Sequence, residues 1–180
     1  MLAASGSLAR RGVSAVEAEA FHRVNDLPDG GYRAAWVPMQ FGTFGTVPAL
    51  AGIALAARRP RLALALGAAG TSAWILAKAI KPVVDRGRPQ SEVEDVRLRG
   101  KEEGDQGFPS GHAAVSAALT VVMLPRVSPR YRPLVVALSV FVPFARWYVG
   151  AHLPLDTVGG SALGAAIGSA VNLALGVRET

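Results

Sequence analysis

Long apolar runs without charged side chains are the feature that most constrains how this chain folds. No Asp, Glu, Lys or Arg occurs in residues 36–57, 108–125, 133–145 or 157–177, and Lys78 is the one charged residue in 62–80. A helix that crosses the hydrocarbon core of a bilayer needs about 20 apolar residues. Because the chain has only 180 residues, a soluble bundle would have too little polar surface to cover five such runs.

The runs predict an all-α fold: a polytopic membrane helix bundle of about five transmembrane helices, preceded by an N-terminal amphipathic helix. The predicted spans are residues 36–57, 62–80, 109–125, 133–151 and 155–176. We therefore divide the chain into an N-terminal amphipathic or interfacial segment, residues 1–35, and a transmembrane domain, residues 36–180.

The N-terminal helix is predicted over residues 14–27. Ser14 and Glu17 have the spacing of a capping box, and an apolar stripe follows at Ala20, Phe21, Val24 and Leu27. Such a stripe is typical of a helix that lies in the membrane interface, and a solvated leader helix is the alternative.

The composition restricts the partners of the chain. A formal net charge of +6 and a pI near 10.5 suit the anionic head groups of membrane lipids. Nucleic acid is not predicted as a partner, because no basic run is interleaved with aromatic residues. The chain has no cysteine, which excludes disulfides and thiolate metal sites. We predict neither a metal nor a cofactor, since no His, Asp and Glu cluster has the spacing of metal ligands.

Three polar motifs lie at the ends of the apolar runs. They are Lys81-Pro82-Val83-Val84-Asp85-Arg86-Gly87-Arg88-Pro89, Pro109-Ser110-Gly111-His112, and the segment from Arg146 to Asp156 that contains His152. The first ends the second predicted span, the second begins the third span, and the third joins the fourth to the fifth. Successive crossings therefore place all three on one side of the membrane. The basic connectors, residues 58–61 and 126–132, then lie on the other side, and their six arginines predict that side to be cytoplasmic.

The first two motifs have the chemistry of an anion site. Pro82 disfavours helix at the preceding residue, so Lys81 is expected where the second span meets water. Lys81 offers a point charge to phosphate oxygens and Arg88 a planar fork. Ser110 is a candidate N-cap and Gly111 lets the backbone approach a ligand, so that the unpaired N–H groups of the helix start would face the anion.

The histidines supply the reactive groups. Histidine is rare in apolar segments and functional there by default, which singles out His112. In the third motif Pro154 predicts a helix start, with Asp156 in the first turn and His152 just ahead of it. Asp156 is then close enough to hydrogen-bond one ring nitrogen of His152, which fixes the tautomer and leaves the other nitrogen free as a nucleophile. Arg146 adds a third cation.

In order and in internal spacing, the motifs resemble the signature K-x6-R-P, P-S-G-H and S-R-x5-H-x3-D of the type 2 phosphatidic acid phosphatase superfamily. The resemblance covers residues 60–175, and Ala145 replaces the motif serine. It implies a metal-independent phosphatase in which His152 attacks phosphorus, Asp156 orients His152, and His112 acts as general acid and base. It further implies that phosphate is bound by Lys81, Arg88, Ser110, Gly111 and Arg146.

The resemblance implies hydrolysis of a terminal phosphate from a membrane lipid through a phosphohistidine, on the extracytoplasmic face of the cell membrane. The motifs recognise phosphate and not the tail, so phosphatidate, phosphatidylglycerol phosphate and a polyprenyl phosphate or diphosphate all stay open as substrates. A vanadium-dependent haloperoxidase, which has the same motif set, and a non-catalytic phospholipid-binding membrane protein are the alternatives.

The last predicted span also carries a ridge of small residues. Gly160, Gly164 and Gly168 recur every four residues, which lets another helix approach closely. This ridge predicts close packing inside the monomer, and a homodimer through the same residues is the alternative.

Overall fold

A computed structural model describes residues 2–101 and 104–175, and this part of the chain is all-α. The helices are α1 (Leu2–Ala9), α2 (Ala15–Asn25), α3 (Tyr32–Met39), α4 (Thr46–Ala56), α5 (Pro60–Val84), α6 (Pro89–Glu92), α7 (Gly111–Met123), α8 (Arg132–Tyr148) and α9 (Pro154–Ala174). Single 3-10 turns precede α3 and α8 and follow α3.

The centre of the molecule is α7, which packs between α5 and α9. Residues 113–120 of α7 are all buried. The approach of α9 depends on its glycines, because a Cβ on Gly164 would collide with the backbone carbonyl of Ala114, and a Cβ on Gly168 would lie 2.8 Å from that of Ala118. Of the two alternatives for the glycine ridge, packing inside the monomer is the one that this structure contains.

Within the described residues, two helices are long and apolar enough to cross a membrane, α5 with 25 residues and α9 with 21. A third crossing is formed if α3 and α4, which meet at an angle of 65°, count as one broken span. The prediction of an all-α protein with membrane-type helices is confirmed, whereas the count of about five spans is not. The helices α7 and α8 have 13 and 17 residues, since turns take up part of each apolar run. The last predicted span ended at residue 176, which lies outside the described residues.

The break between α3 and α4 corrects the continuous span predicted over residues 36–57. A 3-10 turn, Gln40–Gly42, follows α3, and α4 begins at Thr46. A Cβ on Gly42 would lie 2.6 Å from the carbonyl oxygen of His112. The break therefore lets the chain touch the first turn of α7, which carries the second motif.

The N-terminal helices pack against the rest of the fold, α1 on α9 and α2 on α8 and α9. The predicted N-cap of α2 is confirmed, since Ser14 Oγ accepts from Glu17 N at 3.2 Å. The Glu17 carboxylate, which the predicted capping box would turn back to Ser14 N, accepts from Arg86 and from Leu155 N. The buried face differs from the predicted stripe, because it consists of Glu17, Phe21 and Asn25, while Leu27 is exposed. Two polar side chains replace apolar ones on this face because both have polar partners in the interior.

The two basic connectors lie together at one end of the bundle. Arg59 Nη2 donates to the carbonyl oxygen of Arg126 at 3.2 Å. From this end α5 runs to the first motif, and α7 runs back from the second motif. All three motifs thus lie at the opposite end, as the alternation of spans predicts.

Candidate active site

The first motif folds back onto the other two. Helix α5 continues through Pro82 to Val84 and stops at Asp85, which has a left-handed backbone with φ of 51°. Lys81 is therefore in the last turn of α5. This differs from the expectation from Pro82, which disfavours a helical conformation at Lys81. Its ammonium donates to the carbonyl oxygen of Gln106, and Arg88 Nη1 donates to that of Ala151 at 2.6 Å. The two cations thus reach the approach to the second motif and the centre of the third.

The second motif opens α7 as predicted. Ser110 is the N-cap, fully buried, and its Oγ accepts from Ala113 N at 3.4 Å. A Cβ on Gly111 would meet nothing within 4 Å, so the start of the helix faces open space. His112 follows in the first turn and lines a cavity together with Arg146.

The third motif turns the chain from α8 into α9. Arg146 lies in the last turn of α8 and is 2% exposed, and its carbonyl oxygen accepts from Ala151 N at 3.0 Å. Helix α9 begins at Pro154, as the sequence predicts. Asp156 Oδ2 accepts from Leu153 N at 2.9 Å, which closes the first turn of α9 over the histidine.

His152 and Asp156 lie side by side in the interior. His152 is 2% exposed and Asp156 is fully buried. His152 Nδ1 lies 3.5 Å from Asp156 Oδ2, and within residues 2–101 and 104–175 this nitrogen has no hydrogen-bond partner. The contact is longer than an N–H···O hydrogen bond of about 2.9 Å, and catalytic hydrogen bonds in unliganded sites are often long in this way.

Four cationic or basic groups act on His152. Burial lowers the pKa of His152 well below its usual value of 6.5, and the charges of its neighbours lower it further. In order of effect, these neighbours are Arg146, Arg88, Lys81 and His112. The imidazole is therefore neutral at neutral pH, which is the form that can attack phosphorus.

A cavity of about 370 Å³ opens beside Arg146 and His112. Its other walls come from α3, from the turn that follows α3, from residues 98–101 and from the third motif, and they consist of Tyr32, Trp36, Met39, Gln40, Thr43, Leu98, Arg99, Gly100, Lys101, Val149 and Ala151. Asn25 holds the wall formed by residues 98–101 in place, since its side chain donates to the Arg97 carbonyl oxygen at 3.0 Å and accepts from Arg97 N at 2.8 Å. The sequence pattern did not identify α3 as part of the site, because residues 36–39 read as the start of an apolar span and residues 32–35 as the end of the N-terminal segment.

A second, apolar hollow of about 490 Å³ lies between α8 and the segment from α2 to α3. Ala145, which stands where the motif has serine, is 1% exposed and lines this hollow with Phe141, Phe144 and Tyr148. Ala145 belongs to the same buried apolar cluster as Ala35. Its methyl group is therefore compatible with the surrounding apolar surface.

Sequence reasoning missed two charged residues behind the site. Arg86 occupies a variable position of the first motif and was given no role, yet it is 3% exposed and pairs with both Glu17 and Asp156. Burial acts to lower the pKa of Arg86, but the hydrogen bond to Glu17 and the charge of Asp156 outweigh burial, so that the pKa is raised. In the sequence, Arg86 is simply an arginine between Asp85 and Gly87 at a variable motif position. Nothing in that local pattern indicates that it pairs with Glu17, 69 residues away.

Comparison with known proteins agrees with this geometry. Residues 61–178 match the sequence model of the PAP2 superfamily. The chain is 30% identical to an undecaprenyl-diphosphatase of Sulfolobus acidocaldarius over 66% of this chain and 57% of that protein. It is 33% identical to a decaprenylphosphoryl-5-phosphoribose phosphatase of Mycobacterium tuberculosis over 73% of this chain and 71% of that protein. The matched stretch is thus little more than half of the Sulfolobus protein.

Two crystal structures share the fold. Aquifex aeolicus LpxE superposes with a TM-score of 0.80 at 21% identity, covering 88% of this chain and 95% of that one. The PAP2-type phosphatidylglycerolphosphate phosphatase of Bacillus subtilis superposes with a TM-score of 0.72 at 18% identity, covering 98% and 96%. With the match of the sequence model to most of the chain and the three motifs assembled at one end of the bundle, the chain belongs to the PAP2 superfamily.

Proposed function

We propose that this protein is a membrane lipid phosphatase that hydrolyses a terminal phosphate through a phosphohistidine on His152. The observation that carries the proposal is a buried imidazole on which Lys81, Arg88 and Arg146 act electrostatically, with Asp156 directly behind it. A dianionic phosphate in this position would meet three fixed cations and a neutral nucleophile at once.

The proposed reaction has two steps. His152 Nε2 attacks phosphorus while His112 protonates the leaving oxygen, and Asp156 stabilises the imidazolium adduct that forms at His152. His112 then removes a proton from water, which attacks phosphorus and releases inorganic phosphate and neutral His152. The site is regenerated without change.

The phosphate cradle needs no metal in this proposal. Lys81, Arg88 and Arg146 supply the positive charge that a metal would bring to the equatorial oxygens, and the first N–H groups of α7 around Ser110 and Gly111 add neutral donors. Open space beside Gly111 supports this assignment, since it leaves room for an anion at the helix start.

Among lipid phosphates we propose a polyprenyl-linked substrate first. Two relatives carry names that specify prenyl compounds, an undecaprenyl-diphosphatase and a decaprenylphosphoryl-5-phosphoribose phosphatase. The aromatic wall formed by Tyr32 and Trp36, with Gln40 beside it, would receive whatever polar group joins the phosphate to the tail. Phosphatidate and phosphatidylglycerol phosphate are the competing substrates.

We further propose a multi-pass protein of the cell membrane, with about five crossings and the site on the extracytoplasmic face. The support is the separation of the six arginines of the connectors from the motif end of the bundle. A lipid could then reach the site from the outer leaflet.

Phosphate release from purified protein in detergent tests the proposal. The panel contains a polyprenyl diphosphate, a prenylphosphoryl sugar phosphate, phosphatidylglycerol phosphate and phosphatidate, each with His152→Ala as the blank. We expect release from at least one substrate, with the prenyl compounds fastest, and none from the variant. Binding without release would favour the non-catalytic alternative.

A further inference from the structure

Behind the proposed catalytic pair lies a buried group of three charges from three distant parts of the chain. Arg86 Nη1 and Nη2 donate to the two carboxylate oxygens of Glu17 at 3.0 and 2.7 Å, which is a two-pronged pair. Arg86 Nη1 also donates to Asp156 Oδ1 at 3.1 Å. The side chains of Arg86, Glu17 and Asp156 are 1%, 5% and 0% exposed.

The arrangement divides the two oxygens of Asp156 between separate tasks. Oδ1 is held by Arg86, and Oδ2 accepts from Leu153 N at 2.9 Å and lies 3.5 Å from His152 Nδ1. The orientation of the carboxylate, and hence the oxygen presented to His152, is therefore fixed by Arg86 on one oxygen together with Leu153 N–H on the other. Arg86 is itself fixed by Glu17, because the fork of a guanidinium binds a carboxylate in one plane.

Glu17 also links this group to the first turn of α9. Its Oε1 accepts from Leu155 N at 2.8 Å, one residue before Asp156. Glu17 lies in the first turn of α2, where Ser14 caps the helix. Helix α2 thus contacts the segment that carries the proposed nucleophile, His152, and its carboxylate partner, Asp156.

The charge of the group suits a phosphohistidine. Two carboxylates and one guanidinium leave one net negative charge behind His152, and the imidazole ring of the adduct is cationic. Without Glu17, Arg86 would neutralise Asp156 and this stabilisation would be weaker. Other charged or titratable groups act on His152 as well, and these are Lys81 on α5, Arg88 after it, His112 on α7 and Arg146 on α8.

We infer that Glu17 and Arg86 are positioning residues for the reaction, so that the N-terminal helix belongs to the catalytic apparatus. Neither residue touches the phosphate; both act through Asp156. The inference rests on the proposed function for the identity of the reaction, but the geometry of His152 can be measured whether or not turnover occurs.

The test compares Glu17→Gln with Glu19→Gln. Glu17→Gln keeps the size and one acceptor oxygen but removes a charge. Glu19 lies on the same helix, is 63% exposed and pairs with Arg23 on the surface, so it is the matched control. Arg86→Lys keeps the charge and removes the fork, which separates charge from orientation.

For Glu17→Gln we expect kcat per folded molecule to fall about 10–100-fold, the range known for outer partners of metal-bound histidines, with KM within about twofold. The kcat of Arg86→Lys should fall at least as far as that of Glu17→Gln, while Glu19→Gln should keep the wild-type kcat. Folded protein is counted by gel filtration in detergent, so that poor folding does not count as lost catalysis. Wild-type kcat in folded Glu17→Gln would overturn the inference.

The second readout does not need activity. In protein labelled with 15N-histidine, the ring nitrogens of His152 report its tautomer, and His152→Ala assigns the signals. We expect one tautomer, protonated on Nδ1, in the wild type and in Glu19→Gln, and a mixture in Glu17→Gln. Unchanged His152 signals in Glu17→Gln would overturn the positioning role even in a protein that hydrolyses nothing. Absence of turnover in the wild type would overturn the proposed function separately.

Discussion

The backbone N–H of Ser110 donates to the carbonyl oxygen of Asp156 at 2.9 Å. This hydrogen bond joins the start of α7 to the first turn of α9. It therefore connects the proposed phosphate cradle to Asp156, the carboxylate beside the proposed nucleophile His152. A second backbone hydrogen bond, from Gly107 N to the Arg86 carbonyl oxygen at 2.8 Å, joins the first motif to the segment just before the second motif. The relative positions of the three motifs are therefore set by backbone contacts, independently of any ligand.

The close packing of α9 on α7 predicts a stability difference between two glycines. Gly164→Ala adds a Cβ that collides with the backbone of Ala114, and we expect a loss of about 1–3 kcal/mol, the usual cost of overpacking. The control is Gly67→Ala on α5, where a Cβ meets nothing within 4 Å and where alanine should stabilise the helix by about 0.5–1 kcal/mol. Thermal unfolding in detergent measures both. Equal melting temperatures of Gly164→Ala and Gly67→Ala would contradict the close packing of α9 on α7.

The depressed pKa of His152 predicts activity at mildly acidic pH. The neutral imidazole is the nucleophile, and protonation removes it; because burial and neighbouring cations lower its pKa well below 6.5, the neutral form persists as the pH falls past 6.5. A histidine with an ordinary pKa of about 6.5 would lose roughly tenfold in kcat/KM by pH 5.5. We expect a smaller loss once kcat/KM is corrected for ionisation of the substrate phosphate. A full tenfold loss, with the 15N signals of His152 showing protonation over the same pH range, would mean that His152 titrates normally.

Metal independence follows from the cradle of Lys81, Arg88 and Arg146. Activity should survive an excess of EDTA, and vanadate, which mimics five-coordinate phosphorus, should inhibit. Phosphate release before and after chelation measures the first effect. Activity that disappears with EDTA and returns with magnesium would contradict the proposed cradle.

Membrane topology can be tested cleanly, because the chain has no native cysteine. Asp105 and Ser128 are both exposed, the first beside the motifs and the second in a basic connector. With an impermeant thiol reagent on intact cells, Asp105→Cys should react and Ser128→Cys should react only after lysis. The reverse pattern would put the site in the cytoplasm, and equal labelling would contradict the span arrangement.

Local rules predicted the parts of the site that depend on neighbouring residues. Ser110 caps α7 and Pro154 opens α9 because capping and proline geometry act within one turn. The break at Gly42 and the pairing of Glu17 with Arg86 depend instead on contacts between segments far apart in the chain, about which hydrophobic periodicity carries no information. The sequence therefore predicted a local capping role for Glu17, whereas its carboxylate lies in the core and pairs with Arg86.

The loss of His112 should separate the two proposed steps. In His112→Ala, transfer from a nitrophenyl phosphate needs little protonation of the leaving group and should still occur. Hydrolysis of the adduct should be slow, because general acid–base catalysis is typically worth about 10²–10⁴-fold. A phosphoenzyme should therefore accumulate in this variant.

The identity of the residue that carries phosphate in His112→Ala is the measurement that tests the account most directly. After brief reaction with a 32P-labelled nitrophenyl phosphate, we expect an acid-labile, base-stable label, located on His152 by peptide mapping and absent from the His112→Ala, His152→Ala double variant. A label that persists without His152, or that maps to any other residue, would contradict the account.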